Sequence, residues 1–335
     1  MITTTEQLEE RLSRPTSRDC EALAALEGDL LILGVGGKMG PSLAVRAKRA
    51  IDEAGVRKRV IGVARFHTPG LRERLEQAGI ETVAADLLDR DALRVLPDAP
   101  NVVFMAGRKF GTQGGEHWTW AMNVILPALA AERWRDSRFV VFSSGNVYPL
   151  RKVAEGGADE AAATAPVGEY AQTVRGRERI FEHYGAPSVL LRLNYAVEMR
   201  YGVLADIGWK VYRRQPVDVT TGSVNVIWQG DANSVALRSF PLCACPPAVL
   251  NLTGPETLSV RAVAERFGQL FGVEPVLEGA EADSALLSDA NKCWRLFGPP
   301  EVSAAEAIEW VAAWIRGGGE SLDKPTHFEA RDGRF

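Results

Sequence analysis

The segment that most constrains the fold is residues 29–40, where a short apolar run ends in a cluster of glycines. Residues 30–33 read Leu-Leu-Ile-Leu, which predicts a strand buried on both faces, and a helical pattern begins near Pro41. Gly34, Gly37 and Gly40 are spaced three apart, and glycine permits a tight turn and close approach of a phosphate to backbone amides. Glycine triplets also form ordinary tight loops, so the flanking strand and helix carry the interpretation. Because a helix begins here, its N–H groups and positive dipole end would face a bound diphosphate.

Strand and helix patterns alternate from this loop to about residue 193. Such alternation predicts βαβ units, hence a doubly wound parallel sheet with helices on both faces, the Rossmann α/β fold. The glycine loop then lies at the first turn of the sheet, where such folds bind dinucleotides. The predicted strands are 30–33, 59–65, 81–85, 101–105, 138–142 and 188–193, and the predicted helices are 3–14, 18–26, 41–54, 71–78, 118–133 and 169–184.

The pattern loosens after Asn194. It predicts strands at 225–229 and 249–252 and helices at 231–240, 259–272 and 304–316. Irregular segments of this kind typically build a substrate site beside a dinucleotide fold. The predicted organisation is an N-terminal helical extension (1–27), a dinucleotide-binding Rossmann domain (28–193), a smaller mixed substrate lobe with returning Rossmann elements (194–316), and a polar tail (317–335).

Composition excludes several classes of protein. The chain is 46% hydrophobic and 24% charged with a net charge of -4, which is typical of a globular protein without a basic footprint for nucleic acid. The first residues lack the apolar core of a secretory signal, and no run approaches the roughly 18 apolar residues of a membrane span. The four cysteines include only one Cys-x-Cys pair, so reduced thiols and no metal site are expected. We therefore expect a cytoplasmic protein with a small-molecule substrate and no nucleic-acid or membrane partner.

Several motifs together resemble the extended short-chain dehydrogenase/reductases, the NAD(P)-dependent epimerase/dehydratase family, over roughly residues 30–316. The glycine spacing of residues 34–40 is similar to that family's loop. Asp86-Leu87 resembles its pair beside the adenine, and Ala106-Gly107 resembles its small pair under the cofactor. The predicted cofactor-binding residues combine the glycine loop, these family motifs and two basic residues chosen by position: Gly34, Gly37, Lys38, Met39, Gly40, Arg65, Asp86, Leu87, Ala106, Gly107 and Asn123.

The catalytic motif of that family is also recognisable. Residues 142–148, Phe-Ser-Ser-Gly-Asn-Val-Tyr, resemble its Ser-Ser-x-x-Val-Tyr signature and place Ser144 on the catalytic serine. Tyr170, with Pro166 before it and Glu178 after it, falls on the catalytic tyrosine. In such enzymes the tyrosine exchanges a proton with the substrate oxygen while hydride moves to or from nicotinamide, and the serine hydrogen-bonds the same oxygen. Segments 230–232 and 251–254 resemble two further family segments.

Arg65 favours NADP as the cofactor, with NAD as the alternative. The end of the second strand lies beside the adenosine ribose, where an acidic residue accepts from the 2′-OH and an arginine pairs with a 2′-phosphate. Lys38 could add a second positive charge near the same phosphate. Single exposed charges are weak evidence, so a purely solvated role for both residues stays open.

The family's lysine, four residues after the tyrosine, is absent, because Val174 occupies that position. Lowering the pKa of a tyrosine from about 10 to neutrality requires roughly 4 kcal/mol of phenolate stabilisation, and the lysine normally supplies part of it. Arg175 is aimed about 140° away round the helix, and Arg177 returns to the same face about 10 Å along the axis. Lys109, beyond the fourth strand at the carboxyl edge of the sheet, is the favoured replacement on position alone. The alternative is that Lys109 contacts phosphate or solvent.

These features predict an NAD(P)-dependent oxidoreductase or epimerase that acts on a hydroxyl or carbonyl of a sugar-like small molecule. The proposed catalytic residues are Ser144, Tyr170 and Lys109, and Asn194 and Tyr195, with Arg200 nearby, are placed by position in the substrate site. The alternative is a catalytically degenerate NADP(H)-binding regulatory protein, which the missing lysine permits. The resemblance also implies a homodimer formed through the helices that carry Asn123 and Tyr170.

Overall fold

The protein is described here by a computed structural model that covers residues 2–334. Its helices are α1 (Thr5–Ser13), α2 (Ser17–Ala25), α3 (Gly40–Glu53), α4 (Leu71–Gln77), α5 (Arg90–Arg94), α6 (Glu116–Trp120), α7 (Leu126–Arg133), α8 (Gly168–Tyr184), α9 (Val203–Tyr212), α10 (Gln229–Arg238), α11 (Val260–Phe271), α12 (Asn291–Phe297) and α13 (Ala304–Arg316). A π-helical turn, Ala121–Ile125, joins α6 to α7.

The strands of the main sheet run through the first 252 residues, with short strands between and after them. They are β1 (Leu30–Leu33), β2 (Val60–Ala64), β3 (Glu81–Ala84), β4 (Asn101–Phe104), β5 (Arg138–Ser144), β6 (Arg151–Lys152), β7 (Ser188–Leu193), β8 (Ala196–Val197), β9 (Val217–Asp218), β10 (Ser223–Val224), β11 (Ile227–Trp228), β12 (Ala248–Leu252), β13 (Leu258–Ser259), β14 (Leu277–Glu278) and β15 (Ser284–Ala285).

The predicted Rossmann architecture is confirmed. Seven strands form one sheet in the order β12-β7-β5-β4-β1-β2-β3, and each adjacent pair is parallel. β1 is buried along its whole length and lies between β2 and β4. In chain order, β2 and β3 therefore add to one side of β1, and β4, β5, β7 and β12 then add to the other side. The carboxyl ends of β1 and β4 form the point where strand order reverses, which is where open α/β sheets bind ligands.

The N-terminal extension packs onto the Rossmann elements through a buried ion pair. Asp19 of α2 and Arg46 of α3 are almost fully buried, with 2.6 Å between carboxylate and guanidinium. Ser234 of α10 donates to the same carboxylate at 2.5 Å. Because an uncompensated buried charge is costly, these contacts fix α2, α3 and α10 relative to one another.

The second half contains two helices that the sequence patterns did not predict, α9 and α12. In α9, Gly208 interrupts the pattern because glycine is a poor helix former. A Cβ at Gly208 would lie 2.9 Å from Ile315 Cδ1 and 3.3 Å from the ring of Phe267. The glycine therefore allows α9 to pack closely on α11 and α13, and tertiary packing overrides the local preference.

The expectation of a polar tail released after residue 316 is wrong. Phe328 is only 2% exposed and packs in the apolar cluster beneath α9 and α11. The backbone N–H and the hydroxyl of Thr326 donate to the carboxylate of Asp206 at 2.8 and 2.6 Å. The C-terminal segment is thus part of the folded lobe, where the buried ring of Phe328 and the partly buried carboxylate of Asp206 help to hold it.

Candidate active site

Two cavities adjoin along the carboxyl edge of the sheet. The glycine-loop cavity lies over β1, β2 and β4, and the Tyr170 cavity, of about 250 Å³, lies over β4, β5 and β7. Gly37 and Met105 line both, so the two form one cleft. The glycine-loop cavity includes Gly34, Arg65, Asp86, Leu87, Ala106 and Gly107, and the Tyr170 cavity includes Lys38, Met39, Lys109, Ser144, Asn146, Tyr170, Asn194, Tyr195, Tyr201 and Thr326.

The glycine loop is shaped by contacts that leave no room for side chains. Gly34 has φ +91°, and a Cβ there would lie 2.6 Å from the backbone N of Ala106. A Cβ on Gly40 would lie 2.2 Å from the carbonyl oxygen of Val35. Gly34 thus allows the loop to approach β4, and Gly40 allows α3 to start against it. These contacts leave a concave backbone surface at the N-terminus of α3, which fits a diphosphate.

The far end of the glycine-loop cavity carries the predicted nucleotide residues. Arg65 and Asp86 both line it, and their charged groups are 3.9 Å apart and about half exposed. Leu87 and Leu126 add apolar surface to the same cavity. A charged pair beside an apolar slot suits the ribose and adenine of a nucleotide. The cleft as a whole therefore fits a nicotinamide dinucleotide, with the diphosphate at its middle.

Ser144 and Tyr170 meet in the second cavity, as the motif predicted. Ser144 ends β5, and Tyr170 lies in the first turn of α8. Ser144 Oγ donates to Asn146 Oδ1 at 2.9 Å and accepts from the N–H of Asn146 at 3.2 Å. Burial raises the pKa of Tyr170, while the positive charge of Arg177 and a hydrogen bond with Ser144 lower it. Burial outweighs the two stabilising contacts, so the pKa of Tyr170 is raised and the phenol is protonated at neutral pH.

Val174 does not face a site for a cation. It is 1% exposed and packs with Val147, Tyr148 and Ala158 in a small apolar cluster against Tyr170. The aliphatic stem of a lysine in this position would lie among apolar groups. Its ammonium would lie there too unless the side chain bent away. The replacement of the family's lysine by Val174 therefore goes together with apolar packing around this position.

Arg177 reaches the site, although its distance along α8 had argued against it. Its Nη1 donates to the carbonyl oxygen of Phe142 at 2.6 Å, and its Nη2 donates to Asn123 Oδ1 at 2.8 Å. Helical side chains lean toward the helix N-terminus, so a long side chain at this position extends back toward the turn that carries Tyr170. Burial lowers the pKa of Arg177 to about 10, which leaves it charged at neutral pH. The expectation that Arg177 lies too far along the helix to serve Tyr170 is therefore corrected.

Asn123 positions this cation and lines neither cavity. It is fully buried in the π-helical turn and holds the backbone of Arg108, accepting from its N–H at 2.9 Å and donating to its carbonyl at 2.8 Å. Its Nδ2 also donates to Thr173 Oγ1 at 2.9 Å. Asn123 thus joins the loop after β4 to α8 and to Arg177. The expectation of a direct cofactor contact for Asn123 is replaced by this supporting role.

Two lysines bring positive charge into the Tyr170 cavity. Lys109 Nζ lies 5.9 Å from the ring centroid of Tyr170, and burial lowers its pKa to about 8. Lys38 Nζ donates to the carbonyl oxygen of Ala196 at 3.2 Å and lies 3.5 Å from the ring centroid of Tyr201. Desolvation of the ammonium lowers the pKa of Lys38 to about 7. Lys38 and Arg65 line different cavities, which corrects the expectation that they share one phosphate.

The substrate residues predicted after β7 are only partly brought together. Asn194 and Tyr195 line the Tyr170 cavity, and Asn194 Nδ2 donates to the carbonyl oxygen of Leu286 at 3.2 Å. Arg200 lies outside it, paired with Glu198 and Glu9. Tyr201 and Thr326 line the cavity, and no sequence motif marked either of them.

No protein-family model matches this chain, and no curated protein matches it. Solved structures do resemble it over most of its length. A UDP-glucuronic acid 4-epimerase from Bacillus cereus in complex with NAD has a TM-score of 0.71 and 18% identity, covering 86% of this chain and 98% of that chain. A UDP-glucose 4-epimerase from Thermotoga maritima with UDP-glucose has a TM-score of 0.69 and 16% identity, covering 87% and 99%. The chain has the fold of these epimerases.

This epimerase fold confirms the architecture expected from the resemblance to extended short-chain dehydrogenase/reductases. The alignment spans nearly the whole of each solved structure, so it includes the mixed C-terminal half as well as the parallel sheet. Among residues 2–334, no helix is long and apolar enough to cross a membrane. Within that same part of the chain, no cluster of three or more His, Cys, Asp or Glu side chains could hold a metal ion.

Proposed function

We propose that the protein is an NAD(P)-dependent oxidoreductase or epimerase of the extended short-chain type, acting on a hydroxyl or carbonyl of a sugar-like molecule. The observation that carries the proposal is the meeting of Ser144 and Tyr170 in a cavity continuous with the glycine-loop cleft. A phenol and a serine hydroxyl beside the carboxyl edge of a parallel sheet can bind one substrate oxygen from two sides. The similar solved structures, which include epimerases with NAD or a UDP-sugar bound, support the same chemistry.

In this proposal a bound nicotinamide supplies the hydride acceptor or donor, and the chain's own residues handle the proton and the charge. Tyr170 gives a proton to, or takes one from, the substrate oxygen, and Ser144 hydrogen-bonds that oxygen. Arg177 supplies a fixed positive charge behind the tyrosine, held by Asn123 and Phe142. Lys109, on the cavity side of the same ring, adds a second cation whose pKa near 8 lets it bind or release a proton.

The direct test is hydride transfer measured by nicotinamide absorbance. Purified full-length protein is mixed with NADP or NAD and a panel of sugars and sugar acids in both reaction directions. Turnover with any member supports the proposal. Tight NADP(H) binding without turnover, together with capture of a protein partner, would favour the regulatory alternative. Cofactor that survives purification would point to epimerisation or dehydration with a tightly held dinucleotide.

The cofactor preference gives a sharper prediction at Arg65. Replacing Arg65 with Ala is expected to weaken NADP binding about 10- to 100-fold, because a hydrogen-bonded charge pair contributes about 1.5–3 kcal/mol. NAD binding should change by less than about threefold, since NAD lacks the 2′-phosphate. Fluorescence titration with both dinucleotides measures this, and Arg72→Ala serves as the control because Arg72 is paired with Glu76 on the surface of α4. Equal losses for NAD and NADP would contradict the assignment of Arg65 to the phosphate.

We also propose a homodimer formed through the surface of α6, α7 and α8. Trp118, Trp120 and Ile125 are 52%, 41% and 51% exposed on this surface, and Val167 is exposed where α8 begins. Large apolar side chains clustered in this way mark association surfaces.

Replacing Ile125 with Glu is therefore expected to weaken self-association on the order of 100-fold, because a buried unpaired carboxylate is costly. Sedimentation velocity over a concentration series measures the change. Leu296→Glu is the matched control, since Leu296 is equally exposed but lies on α12. A dimer that is insensitive to Ile125→Glu would place the interface elsewhere.

A further inference from the structure

The charged side chains that line the Tyr170 cavity are all positive. Its lining within residues 2–334 includes Lys38 and Lys109 but no aspartate or glutamate. The nearest carboxylates are engaged outside the lining: Glu198 with Arg200 at 3.2 Å, and Asp206 with Thr326 at 2.6 and 2.8 Å. The rest of the polar lining consists of hydroxyl and amide groups. A cavity of this composition complements an anionic group that is attached to a hydroxylated body.

Lys38 is placed to receive that anionic group. Its ammonium carries three donors, of which one is directed to the carbonyl oxygen of Ala196, and its other contact is the face of the Tyr201 ring. Lys38 is an exposed residue that lines the cavity, so its ammonium is accessible to an anion that enters there. Tyr170 and Ser144 line the same cavity. One end of a short substrate can therefore bind the ammonium while a hydroxyl meets the tyrosine.

The C-terminal segment forms part of the wall on one side of the cavity. Thr326 lines the cavity wall, and Phe328, Ala330, Arg331 and Gly333 line a second cavity of about 30 Å³ beyond Asn146 and Tyr195. Arg331 is held by the carbonyl and hydroxyl oxygens of Ser284 at 2.6 and 2.8 Å. That second cavity holds about one water molecule. The segment thus leaves little room for a substituent of the substrate on this side of the cavity.

The segment is also packed closely where it meets α8. A Cβ on Gly168 would lie 2.3 Å from the carbonyl oxygen of Gly333, so backbone lies directly on backbone. The remaining volume, about 250 Å³, must also receive the nicotinamide end of the cofactor. It is below the roughly 300–1,000 Å³ of pockets that take drug-sized ligands. The space beside Tyr170 and Lys38 therefore suits a small substrate.

We propose that the substrate is a small polyhydroxylated anion, a free sugar acid or sugar phosphate, whose anionic group pairs with Lys38 while its reacting hydroxyl or carbonyl faces Tyr170. This inference rests on the proposed function and specifies its substrate class. It differs from the UDP-sugars that some similar solved structures hold, and it rests on the small volume beside Tyr170 and on the C-terminal segment that lines one side of that volume.

The same arrangement predicts proton uptake on binding. The groups that face Lys38 are Glu198, Arg200, Asp206, Lys109 and the ring of Tyr201. Desolvation of the ammonium beside the Tyr201 ring lowers the pKa of Lys38 to about 7, and a bound anion would raise it. Because the charged form binds, affinity should fall by up to about tenfold per pH unit above pH 7, and binding at pH 8 should take up a proton. Calorimetry in two buffers of different ionisation enthalpy measures that proton.

The test uses the full-length protein saturated with NADP, and calorimetric titration at pH 6.5. The probes are glucuronate, its neutral amide glucuronamide, glucose 6-phosphate, and UDP-glucuronate. We expect glucuronate or glucose 6-phosphate to bind at least tenfold more tightly than glucuronamide, and UDP-glucuronate to bind no more tightly than glucuronate. Comparison of the carboxylate with the phosphate identifies which anionic group the cavity takes. No binding by either small anion, or tightest binding by UDP-glucuronate, would overturn the inference.

The variant Lys38→Met tests whether the ammonium of Lys38 is the group that binds the anion. It should weaken binding of the small anion about 10- to 100-fold and change NADP affinity by less than about threefold, whereas Lys38→Arg should restore part of the loss. Equal weakening of anion and NADP would place Lys38 on the cofactor and refute its substrate role. Thermal unfolding shows whether each variant is folded. Since binding is measured by heat, absence of both net hydride transfer and an epimerised product would refute the proposed function without altering the outcome for Lys38.

Discussion

Replacing Tyr170 with Phe is expected to lower kcat by two to four orders of magnitude, the usual contribution of a positioned acid or base. The variant removes one oxygen and keeps the ring that packs against Val147 and Val174. NADP binding should change little, because Tyr170 lies outside the glycine-loop cavity that would hold most of the dinucleotide. Steady-state kinetics in both directions and a fluorescence titration of NADP separate the two effects.

The other tyrosines of the cavity provide matched controls. Tyr195→Phe and Tyr201→Phe each remove one hydroxyl from the same lining. Burial raises the pKa of both hydroxyls, and neighbouring acidic groups raise it further, whereas Arg177 and Ser144 lower the pKa of Tyr170. We expect less than about a tenfold loss of kcat for each, since neither is hydrogen-bonded to Ser144 in the way Tyr170 is. Full activity of Tyr170→Phe, or a larger loss at Tyr195 or Tyr201, would move the acid/base role away from residue 170.

The sheet and the glycine loop were predictable because their signals are local. A run of four apolar residues that ends in glycines describes a buried parallel strand and its turn without reference to the rest of the chain. The same holds for Ser144, which follows a buried strand, and for Tyr170, which lies near a helix start. Each of these residues is placed by the element that carries it, and the sheet topology then brings the strand ends together.

The remaining features depend on contacts between distant segments. The position of Thr326 in the cavity is set by Asp206, 120 residues earlier, and by the burial of Phe328. Lys38 is in the glycine loop, but its ammonium is directed by the carbonyl of Ala196 and the ring of Tyr201. Neither periodicity nor motif spacing records such partners. Sequence reasoning therefore located the cleft but not the charge distribution of its substrate end.

The position of Arg177 was predicted wrongly for a different reason, which is the geometry of its side chain. The rise of an α-helix places the Cα of residue 177 about 10 Å from the Cα of residue 170 along the axis. This distance takes no account of where the side chains extend. The direction of the side chain recovers much of that distance, and the fixed acceptors Asn123 and Phe142 select the extended conformation. Close approach of the loop also matters, because a Cβ on Gly107 would lie 2.4 Å from Arg177 Nη2. Gly107 is thus required by this arginine as well as by the expected cofactor.

Replacing Arg177 with Met is expected to lower kcat about 10- to 100-fold at pH 7 in the direction of alcohol oxidation, because a preorganised charge is removed from behind the base. Arg177 lowers the pKa of Tyr170, so its loss raises that pKa. The phenolate is the form that accepts the proton, and its fraction rises with pH. The pH limb of kcat should therefore move to higher pH, and part of the lost activity should return in alkaline buffer, which a purely structural defect would not produce.

Lys109→Met is the decisive comparison, because the two cations lie on different elements around the same tyrosine. A shift of the pH limb in Arg177→Met but not in Lys109→Met assigns the phenolate charge to Arg177. The reverse result returns it to Lys109, as position in the sequence suggested. Arg177→Lys keeps a charge but loses the fork that bonds Asn123 and Phe142 together, so it should recover only part of the activity. Chemical denaturation of each variant measures any loss of stability, since a folded variant with an unchanged pH profile would mean that Arg177 only supports the fold.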